Sequence, residues 1–259
     1  TEVVRESHNV GEAMEDLRRL AEERLGKTDL DSGLDYGTIA ISKYRKSDGT
    51  NSWLVTIPGT DGKHDSPFGW PQNVELMSSD SKQRMEADSA RMVQEAMKQA
   101  GIKSNEPVAL IGHSQGGIVA ATIASDLKDD YDIEHVVTAG SPVANHPIPE
   151  KTWVTSVEMD DELVAALDGA ANPSSDHWLT VRGTASKSSS NQESTFAGTP
   201  VTDAPDNKEI THWLKYHQAA YQNATDMGST AVNTHERHFD EIIDGDLQEV
   251  MYFEGRMSK

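Results

Sequence analysis

The residues in this sequence best placed to do chemistry are a serine and the glycines around it. Residues 112–117 read Gly-His-Ser-Gln-Gly-Gly, which fits the pattern Gly-x-Ser-x-Gly with Ser114 at its centre. In this pattern a sharp turn presents the serine hydroxyl as a nucleophile for acyl transfer, and the glycines leave room for the turn. Ser114 is therefore the first candidate catalytic residue.

The neighbouring segments supply the strand and the helix that such a turn requires. An apolar run precedes the motif and predicts a buried strand at residues 107–111, and the stretch after it predicts a helix at residues 115–127. A helix N-terminus beside Ser114 stabilises an oxyanion through its dipole and its free N–H groups. The alternative, a phosphate-binding turn, is disfavoured because the phosphate-cradling glycines and the lysine are absent.

The rest of the chain alternates predicted strands and helices around this motif. The alternation predicts an α/β fold with a mostly parallel central sheet and helices on both faces. Two polar stretches, residues 59–80 and 184–207, are predicted to be loops. Strands are predicted at residues 36–44, 52–57, 107–111, 133–139, 153–159 and 178–181, the first two as a hairpin. Helices are predicted at residues 9–25, 82–100, 115–127, 210–224 and 232–243.

Two parts of the sequence resemble one known class of enzymes. Residues 112–117 are similar to the elbow of lipase-like and esterase-like α/β-hydrolases, and residues 53–60 resemble the strand and oxyanion loop of the same proteins. The spacing is also similar to a poorly characterised group of bacterial, chiefly actinobacterial, hydrolases, over residues 36–239. The resemblance implies an α/β-hydrolase fold and an esterase-like or lipase-like activity through an acyl-enzyme on Ser114.

The oxyanion hole of such an enzyme needs two hydrogen-bond donors. One is expected to be the backbone N–H of Gln115, the residue after the nucleophile. The resemblance places the second at Thr60, which is similar to the Gly-Thr donor of class 3 lipases. An ordinary strand-ending turn is the alternative interpretation of the segment around Thr60.

The catalytic base is expected among the histidines that follow the elbow, because the fold orders its triad as serine, acid and histidine along the chain. His217 is favoured, since it stands at a predicted helix start after the long polar stretch. Residues 217–221 also resemble the His-x-x-x-Tyr stretch that carries the histidine in the resembled group. His177 is disfavoured because it opens a predicted strand, a poor place for a mobile base. The remaining alternatives are His212, His235 and His238.

The acid of the triad is expected just past a strand beyond the elbow. Residues 160–167 follow the strand at 153–159 and occupy the place that reads Asp-x-Val-Pro-x-Leu in lipase-like proteins. Without gaps that pattern selects Glu162, although the chain then has Glu for Asp and Ala165 for Pro. Glutamate is acceptable because the carboxylate need only orient and polarise the imidazole. Asp161 stays an alternative, which serves if the strand ends one residue earlier.

Composition and charge limit the other function classes. The chain has 259 residues, no cysteine and a net charge of -20. Disulfides, thiolate metal sites and a cysteine nucleophile are therefore excluded, and so acidic a surface disfavours nucleic acids and anionic lipid headgroups as partners. No apolar run reaches the ~20 residues of a transmembrane segment. No metal-ligand spacing stands out, so no metal and no other cofactor is expected.

Together these features predict a carboxylic ester hydrolase acting on a small-molecule ester or acyl substrate. A helical segment at residues 1–35 is expected to pack on an α/β-hydrolase domain of residues 36–259. The polar loops favour a water-soluble ester over an aggregated lipid. Alternatives on the same fold are a thioesterase, an acyltransferase and an inactive binding scaffold. The absence of cysteine slightly favours the cytoplasm, with an exported mature or trimmed chain as the alternative.

Overall fold

The computed structural model describes most of the chain and assigns its helices and strands. The described residues are 2–24, 38–59, 79–159, 172–173, 175–183, 185–187, 194–196, 199–201 and 214–254. The helices within them are α1 (Val10–Arg24), α2 (Ser79–Ala100), α3 (Gln115–Asp126), α4 (Leu214–Asp226) and α5 (Thr230–Ile242). The strands are β1 (Ile39–Arg45), β2 (Asn51–Ile57), β3 (Pro107–His113), β4 (Asp132–Ala139), β5 (Trp153–Met159), β6 (Trp178–Gly183), β7 (Ala185–Lys187), β8 (Ser194–Phe196), β9 (Thr199–Val201) and β10 (Asp246–Phe253).

A seven-stranded sheet in the order β10-β1-β2-β3-β4-β5-β6 forms the centre of the fold. β1 pairs antiparallel with β10 and with β2, which confirms the predicted hairpin, whereas β2 to β6 pair parallel. Parallel strands are covered on both faces, and this explains the unbroken apolar run at residues 108–111 of β3. β3 is the middle strand, so its carboxyl end, which leads to Ser114, lies between the ends of β2 and β4.

Helices cover both faces of this sheet through separate apolar clusters. On one face α1, α4 and α5 contribute side chains such as Met14, Tyr216 and Phe239, all less than 2 % exposed. On the other face α2 and α3 contribute Met97 and Val119 among others. Full burial of one such side chain stabilises the fold by about 1.5–3 kcal/mol. The prediction of a mostly parallel sheet with helices on both faces is confirmed.

Two predicted loops contain regular structure. Residues 184–207, predicted to be a polar loop, include the antiparallel sheet β7-β8-β9. Each of these strands has three residues, which is too short for alternating polarity to be recognised in a segment rich in Ser and Thr. Helix α2 begins at Ser79, so the last two residues of the predicted loop at 59–80 are helical. The part of that loop at residues 60–78 lies outside the described residues.

The edge strand β10 was not predicted. It pairs antiparallel with β1, and its side chains alternate between the two faces of the sheet. Val250 and Tyr252 pack on an apolar cluster near the N-terminus, whereas Met251 and Phe253 pack on the cluster beneath α2 and α3. Acidic residues at the start of the strand obscure this alternation, and its pairing partner lies about two hundred residues away in the sequence.

A chain of hydrogen-bonded histidines ties α5 to the amino ends of β4 and β5. His238 Nδ1 lies 3.0 Å from His135 Nδ1, and His135 Nε2 lies 2.8 Å from the Thr155 hydroxyl. That hydroxyl lies 3.1 Å from His235 Nδ1, and His235 Nε2 lies 3.0 Å from the Asp176 carbonyl oxygen. Since a carbonyl only accepts, neutral His235 donates from Nε2 and accepts from Thr155. His135 then donates to Thr155 and accepts from His238, so every link has one hydrogen.

The surroundings of this histidine chain favour the neutral rings. His135 is fully buried, and burial together with its two histidine neighbours lowers its pKa well below the usual value. Burial also lowers the pKa of His235, and it lowers the pKa of His238 to about 4. Trp153 stacks on the His238 ring with 4.1 Å between centroids. One added proton fits on His238 Nε2, the ring nitrogen outside the chain, whereas a second proton breaks a link.

We expect the histidine chain to lower the free energy of unfolding as the solution becomes acidic. These histidines have lowered pKa values in the folded state, so the unfolded chain binds more protons below pH 6.5. Their contribution is therefore complete above pH 6.5 and is lost as the pH falls toward the folded pKa of His238, about 4. His238→Phe keeps a ring on Trp153 and removes one titrating group. The melting temperature of this variant should fall less than that of the wild type between pH 7.5 and 5.

Comparing the variant with the wild type separates the effect of the histidines on the pH dependence of stability from the opposite effect of buried carboxyl groups. Asp240 on the same helix has a pKa raised to about 7 by burial and by the neighbouring Glu236, so its protonation in acid favours the folded state. The matched control is His8→Phe, which also removes one histidine but outside the histidine chain; the His8 side chain is 47 % exposed and pairs with Glu6 at 2.8 Å. Equal pH slopes for His238→Phe, His8→Phe and the wild type would contradict the prediction.

Candidate active site

Ser114 stands at the junction between β3 and α3, with a strained backbone. Among the described residues other than glycine, it alone has a positive φ, with φ 57° and ψ -122°. Such a conformation costs on the order of 1–3 kcal/mol and persists where the surroundings enforce it. The side chain is only 2 % exposed. The predicted arrangement of strand, sharp turn and helix around this serine is confirmed.

Glycines let the end of β2 pack directly on the turn that holds Ser114. A Cβ atom on Gly116 would overlap the carbonyl oxygen of Ile57. A Cβ atom on Gly59 would lie 3.1 Å from the Cβ of Ser114. Only glycine permits an approach as close as that at Gly116 without a shift of the backbone. The chain segment that leads into Thr60 therefore lies against the nucleophile candidate.

Hydrogen bonds tie the turn to the end of β4 and to the segment that follows it. The N–H of Ser114 donates to the carbonyl oxygen of Ala139 at 2.9 Å. The hydroxyl of Ser141 donates to the carbonyl oxygen of Ser114 at 2.8 Å. The same carbonyl accepts from the N–H groups of Gly117 at 3.0 Å and Ile118 at 3.3 Å, which begin α3. The sequence motif gave no sign of Ser141, because its role depends on a neighbouring strand.

His217 reaches the same place from the first turn of α4. Its side chain is fully buried, and its ring packs edge-on against the ring of His113 with 5.7 Å between centroids. His113 directly precedes Ser114. α4 follows β6 in the chain and packs against β5 and β6, which are the last two strands of the parallel part of the sheet. The structure thus brings the favoured base candidate beside the nucleophile turn.

Two alternative bases lie at the opposite end of the sheet. His235 and His238 belong to the histidine chain around His135, and His135 is in register with Ala109 near the amino end of β3. Ser114 comes five residues after Ala109 along the same strand. At ~3.3 Å per residue, this separates the two places by about 16 Å. The structure therefore does not bring either histidine to Ser114.

Of the remaining candidates, only Gln115 and His177 lie within the described residues. β5, two places from β3 in the sheet, ends at Met159, as predicted. Gln115 is the first residue of α3 and is 1 % exposed, which places its backbone N–H at the helix N-terminus. His177 lies in a turn before β6, stacked on Trp153. The candidates outside the described residues are Thr60, Asp161, Glu162 and His212.

The part of the chain that the structure describes holds neither a cluster of metal-ligating side chains nor a helix able to span a membrane. No group of three or more His, Asp or Glu side chains there could hold a metal ion. In the histidine chain, every ring nitrogen except His238 Nε2 hydrogen-bonds to another ring, to Thr155 or to a backbone carbonyl. None of the helices within the described ranges has both the length and the apolar character that crossing a bilayer requires.

The fold is that of an α/β-hydrolase. A mostly parallel sheet presents a strained serine between a strand and a helix, and a later helix packs His217 against His113, the residue before that serine. The family model described as "PGAP1-like alpha/beta domain", a serine-hydrolase-type fold, matches residues 73–196. This stretch contains Ser114 and both acid candidates, and it ends before His217. No curated protein matches the chain. Fold and family match indicate a hydrolase.

Proposed function

We propose that the protein cleaves carboxylic esters through an acyl-enzyme on Ser114. The observation that carries the proposal is the strained, glycine-flanked Ser114 at a strand–helix junction, with His217 packed against the adjoining His113. Ser114 Oγ attacks the ester carbonyl carbon while His217 takes its proton, and His217 then gives that proton to the leaving alcohol. Water, deprotonated by His217, attacks the acyl-enzyme, which releases the acid and regenerates Ser114.

In this proposal two backbone N–H groups stabilise the oxyanion that forms during the attack. The N–H of Gln115 is one, supported by its position directly after the nucleophile at the start of α3. The N–H of Thr60 is the other, supported by the close approach of Gly59 to the Cβ of Ser114. The positive N-terminal end of the α3 dipole also stabilises the negative oxyanion. Both N–H groups are already fixed in place, so they need no reorganisation when the oxyanion forms.

Glu162 completes the proposed triad by orienting the His217 ring. The boundary of β5 at Met159 agrees with the gap-free alignment that selects Glu162 over Asp161. Glu162→Gln should lower kcat by up to about 10⁴-fold without erasing activity, because the neutral amide no longer stabilises the imidazolium. Asp161→Asn is the matched control and should change kcat little. Both are measured with p-nitrophenyl acetate. The reverse ranking would give the role to Asp161, and two variants near wild type would place the acid elsewhere.

A fluorophosphonate probe tests the proposed function without knowledge of the natural substrate. An active serine reacts with the probe covalently, and peptide mass spectrometry should place the label on Ser114. An inactive binding scaffold leaves the wild type unlabelled, which would refute the proposal. Comparing p-nitrophenyl esters with thioesters, and water with added alcohols as acyl acceptors, then separates an esterase from a thioesterase or an acyltransferase. A series of acyl-chain lengths separates a water-soluble ester from a lipid.

A further inference from the structure

A buried hydroxyl holds the peptide that joins Ser114 to Gln115. The side chain of Ser141 is 1 % exposed, and its Oγ lies 2.8 Å from the Ser114 carbonyl oxygen and 3.2 Å from that of Ala139. The hydroxyl has one hydrogen, and the Ala139 oxygen already accepts the Ser114 N–H at 2.9 Å. The shorter contact, to Ser114, is therefore the hydrogen bond. A Cβ atom on Gly117 would overlap the Ser141 hydroxyl, so this glycine makes the contact possible.

The other end of the same peptide is the proposed oxyanion donor. In a planar trans peptide the C=O and the N–H point in opposite directions, and the N–H here belongs to Gln115. Whatever fixes the Ser114 carbonyl therefore fixes the direction of the Gln115 N–H. A hydrogen bond to the carbonyl also polarises the amide and makes its N–H a stronger donor.

Ser141 holds this peptide from a direction that the helix cannot. The N–H groups of Gly117 and Ile118 bind the Ser114 carbonyl from within α3, at 3.0 and 3.3 Å. Ser141 binds it from the segment after β4, at the shorter distance of 2.8 Å. The peptide is thus fixed between α3 and the segment after β4, and the strained backbone of Ser114 needs such external support.

We propose that Ser141 is a positioning residue of the oxyanion hole, whose hydroxyl orients and polarises the Ser114–Gln115 peptide so that its N–H meets the oxyanion. The inference rests on the proposed function. Because the oxyanion forms only during the reaction, loss of the hydroxyl should weaken binding of the transition state and leave binding of the ground-state ester unchanged. The expected signature is a lower kcat at constant KM.

Ser141→Ala and a matched control, Ser125→Ala, test this role. Ser125 also buries a hydroxyl, which donates to a backbone carbonyl at 2.8 Å, that of Ala121, but at the far end of α3. Each variant is measured for kcat and KM with p-nitrophenyl acetate, for its rate of fluorophosphonate labelling, and for its melting temperature. Ser141→Ala should lose about 10- to 100-fold in kcat, less than the ~10²–10³ of removing an oxyanion donor outright, with KM unchanged. Ser125→Ala should keep wild-type kcat.

The outcomes separate this inference from the proposed function. A wild type that does not react with the probe refutes both. If the wild type reacts with the probe, two results refute the positioning role alone. One is a Ser141→Ala variant with wild-type kcat and labelling rate. The other is a loss of kcat in both alanine variants that follows the decrease in their melting temperatures. Ser141→Cys fills the space with a weak donor and should have an intermediate kcat. If Ser141→Ala does not fold, wild-type kcat in Ser141→Cys overturns the inference.

Discussion

Replacing Ser114 with alanine should abolish the hydrolysis of activated esters while the fold stays intact. Without the hydroxyl no acyl-enzyme forms, and loss of a catalytic serine lowers kcat by about 10⁴-fold or more. The fold should tolerate the change, since alanine and serine bear the same positive φ with similar strain and the hydrogen bonds of the turn come from the Ser114 backbone. The rate is measured with p-nitrophenyl acetate, and the label of the fluorophosphonate probe should vanish.

Ser125→Ala is the control for Ser114→Ala, because it removes a buried hydroxyl from the far end of α3 without touching the turn. Circular dichroism and the melting temperature establish that both variants are folded. Retention of more than a few per cent of wild-type activity in folded Ser114→Ala would show that Ser114 is not the nucleophile. Loss of activity in Ser125→Ala at an unchanged melting temperature would show that the comparison is not specific.

The central part of the fold could be predicted because its signals are local. The apolar run of β3, the glycine turn and the helix α3 are adjacent in the sequence, and each carries its own pattern. The sequence also predicts β5 at Trp153–Met159, because its Trp, Val and Thr residues favour a strand. The edge strand β10 was missed because half its side chains are polar and its partner is distant in sequence.

The finer structure of the site could not be predicted, because it arises where distant segments meet. Ser141 is an ordinary serine in the sequence, and only the pairing of β3 with β4 places its hydroxyl on the Ser114 carbonyl. The role of Gly59 likewise becomes visible only in the fold, where the end of β2 packs against the turn at Ser114. His217 was favoured through its resemblance to a family pattern, and its contact with His113 depends on the packing of α4.

The histidines show why residue type alone does not identify a catalytic base. His235 and His238 follow the elbow, as the chain order of a triad requires, and they were open alternatives from sequence. In the fold they belong to the hydrogen-bonded chain at the amino ends of the strands, whereas ligands of α/β folds bind at the carboxyl ends. The sheet thus separates a structural set of histidines from the one that packs beside the nucleophile.

His217→Ala should lower kcat nearly as much as Ser114→Ala, by about 10⁴-fold, because the hydroxyl then has no base to take its proton. The two residues act as a unit, so the double variant should be little worse than either single variant.

His238→Phe is the control for His217→Ala. At pH 7.5 it should keep wild-type kcat, since its ring lies at the far end of the sheet and is neutral at that pH. All variants are compared with p-nitrophenyl acetate below their melting temperatures. An active His217→Ala beside an inactive His212→Ala would transfer the role of the base to His212, and independent, multiplicative losses in the double variant would contradict a shared mechanism for Ser114 and His217.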